Sequence, residues 1–227
     1  AVYATGKPIV LVLLTGSALS VNWADEHIPA ILNAWYPGAK GGRAVASVLF
    51  GETNPSGRLP VTFYRTTEEL PDFTDYSMEN RTYRFMKNEA LYPFGFGLSY
   101  TQFEYSDLKL SKDIIKAGEG FTVSVKVTNT GKMAGDEIAQ VYIRDVEASW
   151  RVPNWQLSGM KRVKLECGET AEITFEIRPE QLAVVTDEGE SVIEPGEFEI
   201  YAGGSQPDSR SIKLLGKAPL KAILKVE

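Results

Sequence analysis

Apolar and polar positions keep different rhythms in different parts of this chain. Pro8 to Leu14 is apolar at every position and stops at Thr15-Gly16-Ser17. A run without alternation suits a strand covered on both faces, as in a parallel sheet. Asn22 to His27 reads as a short helix, with Asn22 the cap candidate, Asp25 and Glu26 in the first turn, and Pro29 ending it. Ala30 to Trp35 is read as a second short buried strand, with more helix as the competing reading. Gly41 to Phe50 sets Ala44, Val45, Val48 and Leu49 at helical spacing and closes on Gly51. Asn54-Pro55-Ser56-Gly57 is a turn, and Arg58 to Phe63 is extended. Strand–helix–strand–helix–strand predicts an α/β layer on a mostly parallel sheet over residues 1–63. Ligands of such sheets sit beyond the C-terminal strand ends, here near Gly16/Ser17 and Tyr36–Gly38.

From Tyr100 the rhythm becomes strictly alternating. Phe121 to Thr128 alternates apolar and polar with period two, as a half-buried antiparallel strand must. Further strands are expected at Phe103–Leu110, Ile138–Arg144, Gly159–Leu165, Thr170–Ile177, Val184–Thr186, Ser191–Ile193 and Glu197–Ala202, with Ser211–Leu215 closing the sheet. Short strands at roughly ten-residue spacing predict a β-sandwich of fibronectin or immunoglobulin type over residues 101–215. The absence of a cysteine pair favours the fibronectin-like version. Residues 216–227 read as a tail.

Between the two patterns lie residues 64–100, an irregular link. Its first part is polar and aromatic, and long loops of this kind serve function or clamp another element. Its last part, LYPFGFGLSY, crowds Tyr92, Phe94, Phe96 and Tyr100 around Gly95 and Gly97. The position, where one pattern ends and the other begins, points to an interdomain seam rather than an exposed sugar platform. At the other end, AVYATGKP reads as the last turn of a helix. Gly6 takes the left-handed stop and Pro8 forbids continuation, so the chain is expected to begin inside a domain.

The net charge of −6 argues against nucleic acid as a partner. No apolar run reaches the ~20 residues of a membrane-crossing helix, so no membrane partner is expected. One cysteine (Cys167) and one histidine (His27) argue against a disulfide, a zinc cluster or a serine–histidine triad, and no metal or cofactor is expected. Phosphate loops and nucleophile elbows are missing. Asn80-Arg81-Thr82 matches a glycosylation triplet. Of 30 acidic residues, Asp75 and Glu79 in the irregular link are the first candidates for acid–base work, which needs two carboxyls with split pKa values.

Several stretches together resemble glycoside hydrolase family 3: residues 7–63, then NRTYRF, then LYPFGFGLSYTQFEYS, then GDEIAQVYIRD, LSGMKRVKLECGETAEITFEI and EPGEFEIYAGG. The resemblance runs from about Lys7 to Leu215. It implies the C-terminal portion of a retaining, exo-acting β-glucosidase or β-xylosidase: the rear of an α/β sandwich domain, then a fibronectin type III-like domain. NRTYRF resembles the xylosidase branch more than the glucosidase branch. The family's nucleophilic Asp lies on an N-terminal barrel and its acid–base Glu in the first part of the α/β domain, so no catalytic residue carries over onto this chain. The implied partners are that barrel and an oligosaccharide or β-glycoside substrate. The resemblance sets the 64–90 loop toward the barrel, with Glu79, Arg81 and Tyr83 near substrate; the competing reading makes Arg81 and Arg84 structural clamps. A second function class also stands, a non-catalytic carbohydrate- or partner-binding sandwich, for which Trp150 and Trp155 are the candidate aromatic row.

Overall fold

A computed structural model describes all 227 residues. After a single 3₁₀ turn at Tyr3–Thr5, ended by Gly6 in the left-handed conformation, the chain enters strand β1 (Val10–Leu13). Helix α1 (Asn22–His27) carries it to strand β2 (Ala30–Asn33), which lies parallel to β1 with Val10 opposite Ala30. Ile28 is extended, as the residue before a proline should be, and this ends the helix. Helix α2 (Gly41–Leu49) follows. Asn22 does not cap α1; its side-chain amide donates to the Arg65 carbonyl at 2.6 Å and so ties the helix to the link.

Two expectations for this half are corrected. β1 is half-buried rather than covered on both faces, with Val10 48% exposed. Arg58–Phe63 is extended, but it adds no third strand to the β1–β2 sheet. Its hydrogen bonds go to the seam instead: Leu59 N–H to Phe96 O (2.9 Å), Gly95 N–H to Leu59 O (2.8 Å), Phe63 N–H to Tyr92 O (2.9 Å) and Leu91 N–H to Phe63 O (2.8 Å). Pro60 has no N–H to give a ladder, so only one bridge, Phe63 with Tyr92, forms.

The link contains a 3₁₀ turn at Thr67–Glu69 and one short helical turn, α3 (Thr82–Phe85). The sandwich then sets three strands against five. β3 (Phe103–Leu110), β5 (Phe121–Asn129) and β8 (Thr170–Ile177) form one sheet in the order β3-β5-β8. β4 (Ile114–Ile115), β6 (Gly135–Asp145), β7 (Gln156–Leu165), β11 (Gly196–Gly203) and β12 (Leu220–Val226) form the other, in the order β4-β12-β11-β6-β7. β9 (Val184–Val185) and β10 (Ser191–Val192) make a small separate ribbon. The alternation read in β5 puts Phe121, Val123, Val125 and Val127 inside. They meet Val141 and Ile143 of β6, Phe175 of β8 and Ile200 of β11 in a core of 18 buried apolar residues. At about 1.5–3 kcal/mol per buried large side chain, this core is the main source of the sandwich's stability.

The C-terminal stretch differs from expectation. Ser209–Leu215 is helix α4, not a closing strand. Asp208 caps it, accepting from the Ser211 N–H at 2.6 Å, and Gly216 ends it at φ +68. These caps outweigh the short alternation of Ser211–Leu215. Nor is 216–227 a tail: β12 pairs antiparallel with β11 and buries Leu224 and Val226, completing the five-stranded sheet.

Candidate functional site

The seam is built on the aromatic–glycine stretch. Tyr92 and Phe96 stack with rings 6.0 Å apart and 4° between planes, and Phe96 is buried. Phe94 stacks on Tyr83 at 4.1 Å, and Tyr83 meets Tyr142 of β6 edge-on at 6.2 Å. Between them Gly95 turns at φ +77. A side chain there would sit 2.6 Å from the Tyr142 hydroxyl and collide with Gln140, so the backbone approaches only because Cβ is missing.

Gln140, on β6 and 2% exposed, is the staple. Its amide nitrogen donates to Gly95 O (3.0 Å) and Gly204 O (2.9 Å), and its oxygen accepts from the Tyr142 hydroxyl (2.6 Å). Burial pushes the Tyr142 phenol well above its ordinary range. On the other side of the seam Asp25 of α1 joins two partners: it accepts from the Tyr92 hydroxyl at 2.7 Å and from Arg210 of α4 at 3.0 Å. Burial, then the Asp25 carboxylate, pushes the Tyr92 phenol up. Arg210 also donates to Leu91 O at 3.1 Å. Arg58 pairs with Glu137 of β6 at 2.5 Å, with both side chains buried, and Glu137 accepts a further bond from the Tyr105 hydroxyl at 2.7 Å. Three networks thus weld the α/β half to the sandwich.

The residues singled out from the sequence lie on or beside the link. Arg81 donates to the carbonyls of Asp72 (2.6 Å) and Asp75 (3.2 Å), binding the loop into one piece. Arg84 donates to the Gln156 side chain at 3.2 Å. Asn80 is spent on the loop as well, donating to Glu69 O and accepting from the Lys87 N–H. Tyr83 turns inward, where its hydroxyl accepts from the Leu157 N–H at 3.1 Å. Thr82, β-branched, holds φ +55, and its N–H finds the Tyr64 hydroxyl at 2.7 Å. Glu79 stays exposed and pairs with Lys87.

The electrostatics of Asp75 and Glu79 are those of anions. The Ser77 N–H holds the Asp75 carboxyl below the usual range, and the bond from Lys87 does the same for Glu79. A general acid needs the opposite shift. Trp150 and Trp155 are both half-buried, not an exposed row. His27 stacks on Trp23 at 4.6 Å. No group of three or more His, Cys, Asp or Glu side chains gathers in a metal-binding arrangement, and no helix is long and apolar enough to cross a membrane. The feature that sequence reasoning missed is the buried polar staple. Gln140 sits amid an apolar run, and only its excess of polarity at an inward position signals it.

The chain is thus an α/β layer tied by its three seam networks to a fibronectin-like sandwich. The model of the glycosyl hydrolase family 3 C-terminal domain matches residues 1–100, and that of the fibronectin type III-like domain matches residues 137–206. The chain belongs to the C-terminal region of glycoside hydrolase family 3. It is 42% identical to a β-xylosidase of Formosa agariphila, over 96% of this chain and 31% of that protein. It is 40% identical to a periplasmic β-glucosidase of Salmonella typhimurium, over 89% and 28% respectively. A solved β-glucosidase from Erythrobacter marinus superposes with a TM-score of 0.84 at 39% identity, over 99% of this chain and 29% of the other. The chain thus spans about a third or less of the length of these relatives.

Proposed function

We propose that this chain is the rear scaffold of a retaining, exo-acting β-glycosidase that removes terminal β-D-glucosyl or β-D-xylosyl residues, and that both catalytic carboxylates belong to a barrel-containing portion packed against it. The observation carrying this reading is a set of exposed aromatics on the α/β half and the link. Tyr36, Phe50, Phe73 and Tyr76 are 79–90% exposed, while the sandwich core is closed. Single exposed apolar residues are ordinary, but several large aromatics of this exposure on one half of a protein suit a docking face. In this reading the 64–90 loop faces the barrel and Glu79 reaches the substrate rim. Arg81 and Tyr83 are then positioning residues, the first through its grip on the Asp72 and Asp75 carbonyls, the second through its stack on Phe94.

The test is a replacement. The matching C-terminal region of the Formosa β-xylosidase is exchanged for this chain, and hydrolysis of nitrophenyl β-xyloside and β-glucoside is followed beside the 227-residue chain alone. Turnover by the hybrid and silence of the isolated chain are expected. Turnover by the isolated chain would overturn the proposal and direct mutagenesis to Asp75 and Glu79.

A further inference from the structure

The 72–79 turn, which carries Glu79, is tied mostly to its own link. Arg81 takes the Asp72 and Asp75 carbonyls, and Lys87 pairs with Glu79. The one hydrogen bond that reaches the turn from outside the link comes from the sandwich: Arg151 Nη1 donates to the Ser77 carbonyl at 2.6 Å, across 74 residues of chain. We propose that Arg151, in the loop between β6 and β7, is a positioning residue that fixes the turn in the pose bringing Glu79 to the substrate. The proposal rests on the reading that the 64–90 loop faces the barrel. Three observations carry it.

The backbone of this segment is strained. Met78, Asn80 and Thr82 have φ of +63, +57 and +55. Non-glycine residues stay in this left-handed region only where their surroundings hold them there. Asn80 is held by its own side chain, bonded to Glu69 O and the Lys87 N–H, and Thr82 by the Tyr64 hydroxyl on its N–H. Met78 is held through the two peptide planes that flank it. The Arg81 N–H on Met78 O (3.1 Å) fixes the plane after it, and Arg151 on Ser77 O fixes the plane before it.

Arg151 is itself held ready. Its guanidinium carbon lies 4.9 Å from the centre of the Phe85 ring, which Arg84 also faces at 5.8 Å. The backbone is anchored on both sides of it. The Ser149 N–H donates to the Glu194 side chain at 3.0 Å, while the Asn154 N–H and side-chain amide donate to Arg84 O (2.6 Å) and Met86 O (2.9 Å). An arginine on an anchored loop, stacked on a ring, gives up less freedom when it makes its bond.

The charge has the required sign. Lys87 holds the Glu79 carboxyl below its usual range and the Ser77 N–H does so for Asp75; Arg151 adds to both. Glu79 is thereby kept an acceptor for substrate hydroxyls.

The test has two arms. In the ¹⁵N-labelled 227-residue chain, Arg151→Ala should move the Ser77, Met78 and Glu79 amide resonances and weaken the strong intraresidue HN–Hα contact that a positive φ gives at Met78. It should speed exchange of the Arg81 N–H about tenfold and leave the β5 amides in place. Arg151→Lys, which keeps a donor but loses the planar stack, should fall between. In the hybrid with the Formosa β-xylosidase, Arg151→Ala should raise KM for xylobiose about fivefold with kcat within about twofold. It should add nothing to the effect of Glu79→Gln, because both act through one carboxylate. Unchanged Met78 and Glu79 signals in Arg151→Ala would overturn the proposal. So would an unchanged KM in an active hybrid, or additive effects of the two substitutions. A hybrid without turnover would instead sink the glycosidase reading, and the substrate role of Arg151 with it, while the first arm still decides whether Arg151 holds the turn.

Discussion

Gln140→Leu isolates what the seam contributes. Leucine keeps nearly the volume of glutamine and fits the strand, so the change removes hydrogen bonds while leaving little void. It strands three groups at once: Gly95 O, Gly204 O and the Tyr142 hydroxyl, bonded in the native protein at 3.0, 2.9 and 2.6 Å. A buried polar group left without its partner costs about 1–3 kcal/mol. Three of them, sharing one side chain and so not strictly additive, amount to roughly 3–6 kcal/mol. For a chain of this size that is a fall in melting temperature of roughly 10 °C. The loss should be uneven, because the staple ties the link to the sandwich, whose own 18-residue core it leaves intact. Calorimetry should show one transition in the native protein and two in the variant, with the α/β half melting first. Hydrogen exchange followed by mass spectrometry should show faster exchange in α2 and the link, with the β5 amides protected as before. A single transition shifted by less than about 2 °C would refute the reasoning, since the staple would then carry no net stability.

Phe96→Ala removes a buried ring stacked on Tyr92 and should cost about 3–5 kcal/mol, whereas Leu98→Ala, 62% exposed, should stay within about 0.5 kcal/mol; thermal melts of the pair check the contrast. The link should loosen in acid. The Thr74 hydroxyl and N–H hold the Asp72 carboxyl below its ordinary range, and the Ser77 N–H does so for Asp75. A depressed folded-state pKa means a contribution that is complete above the ordinary carboxylate range and lost as pH falls through the depressed value. The Thr74 and Ser77 amide resonances should therefore hold their positions down to about pH 5 and move only below about pH 4.

Some of this was legible in the chain and some was not, and the division follows range with one exception, α4, whose local caps Asp208 and Gly216 were present in the sequence and were passed over. Local rhythm marked β1, α2 and the alternating strands β5, β8 and β11, because a strand or helix facing one core shows its period in its own residues. The aromatic–glycine stretch declared itself a junction by its position alone, and the order and spacing of the quoted stretches pointed to the family. Elements whose partners lie far away along the chain were misread. Arg58–Phe63 looks like a sheet strand, yet its hydrogen bonds go to residues 91–96. Leu220–Val226 has the period of a strand broken only by Ile223 at an outward position, but whether such a stretch hangs free or closes a sheet depends on β11 offering an open edge.

What the sequence determined by itself was the set of periodic elements, the two-part division and the family resemblance, all properties of neighbouring residues. Tertiary structure alone decided what each lone polar side chain does. Gln140, Asp25, Arg58 and Arg210 are ordinary polar residues in the sequence. They become the seam only because folding removes water around them and leaves the protein as their remaining partner, and that pairing is made across 45 to 185 residues of chain.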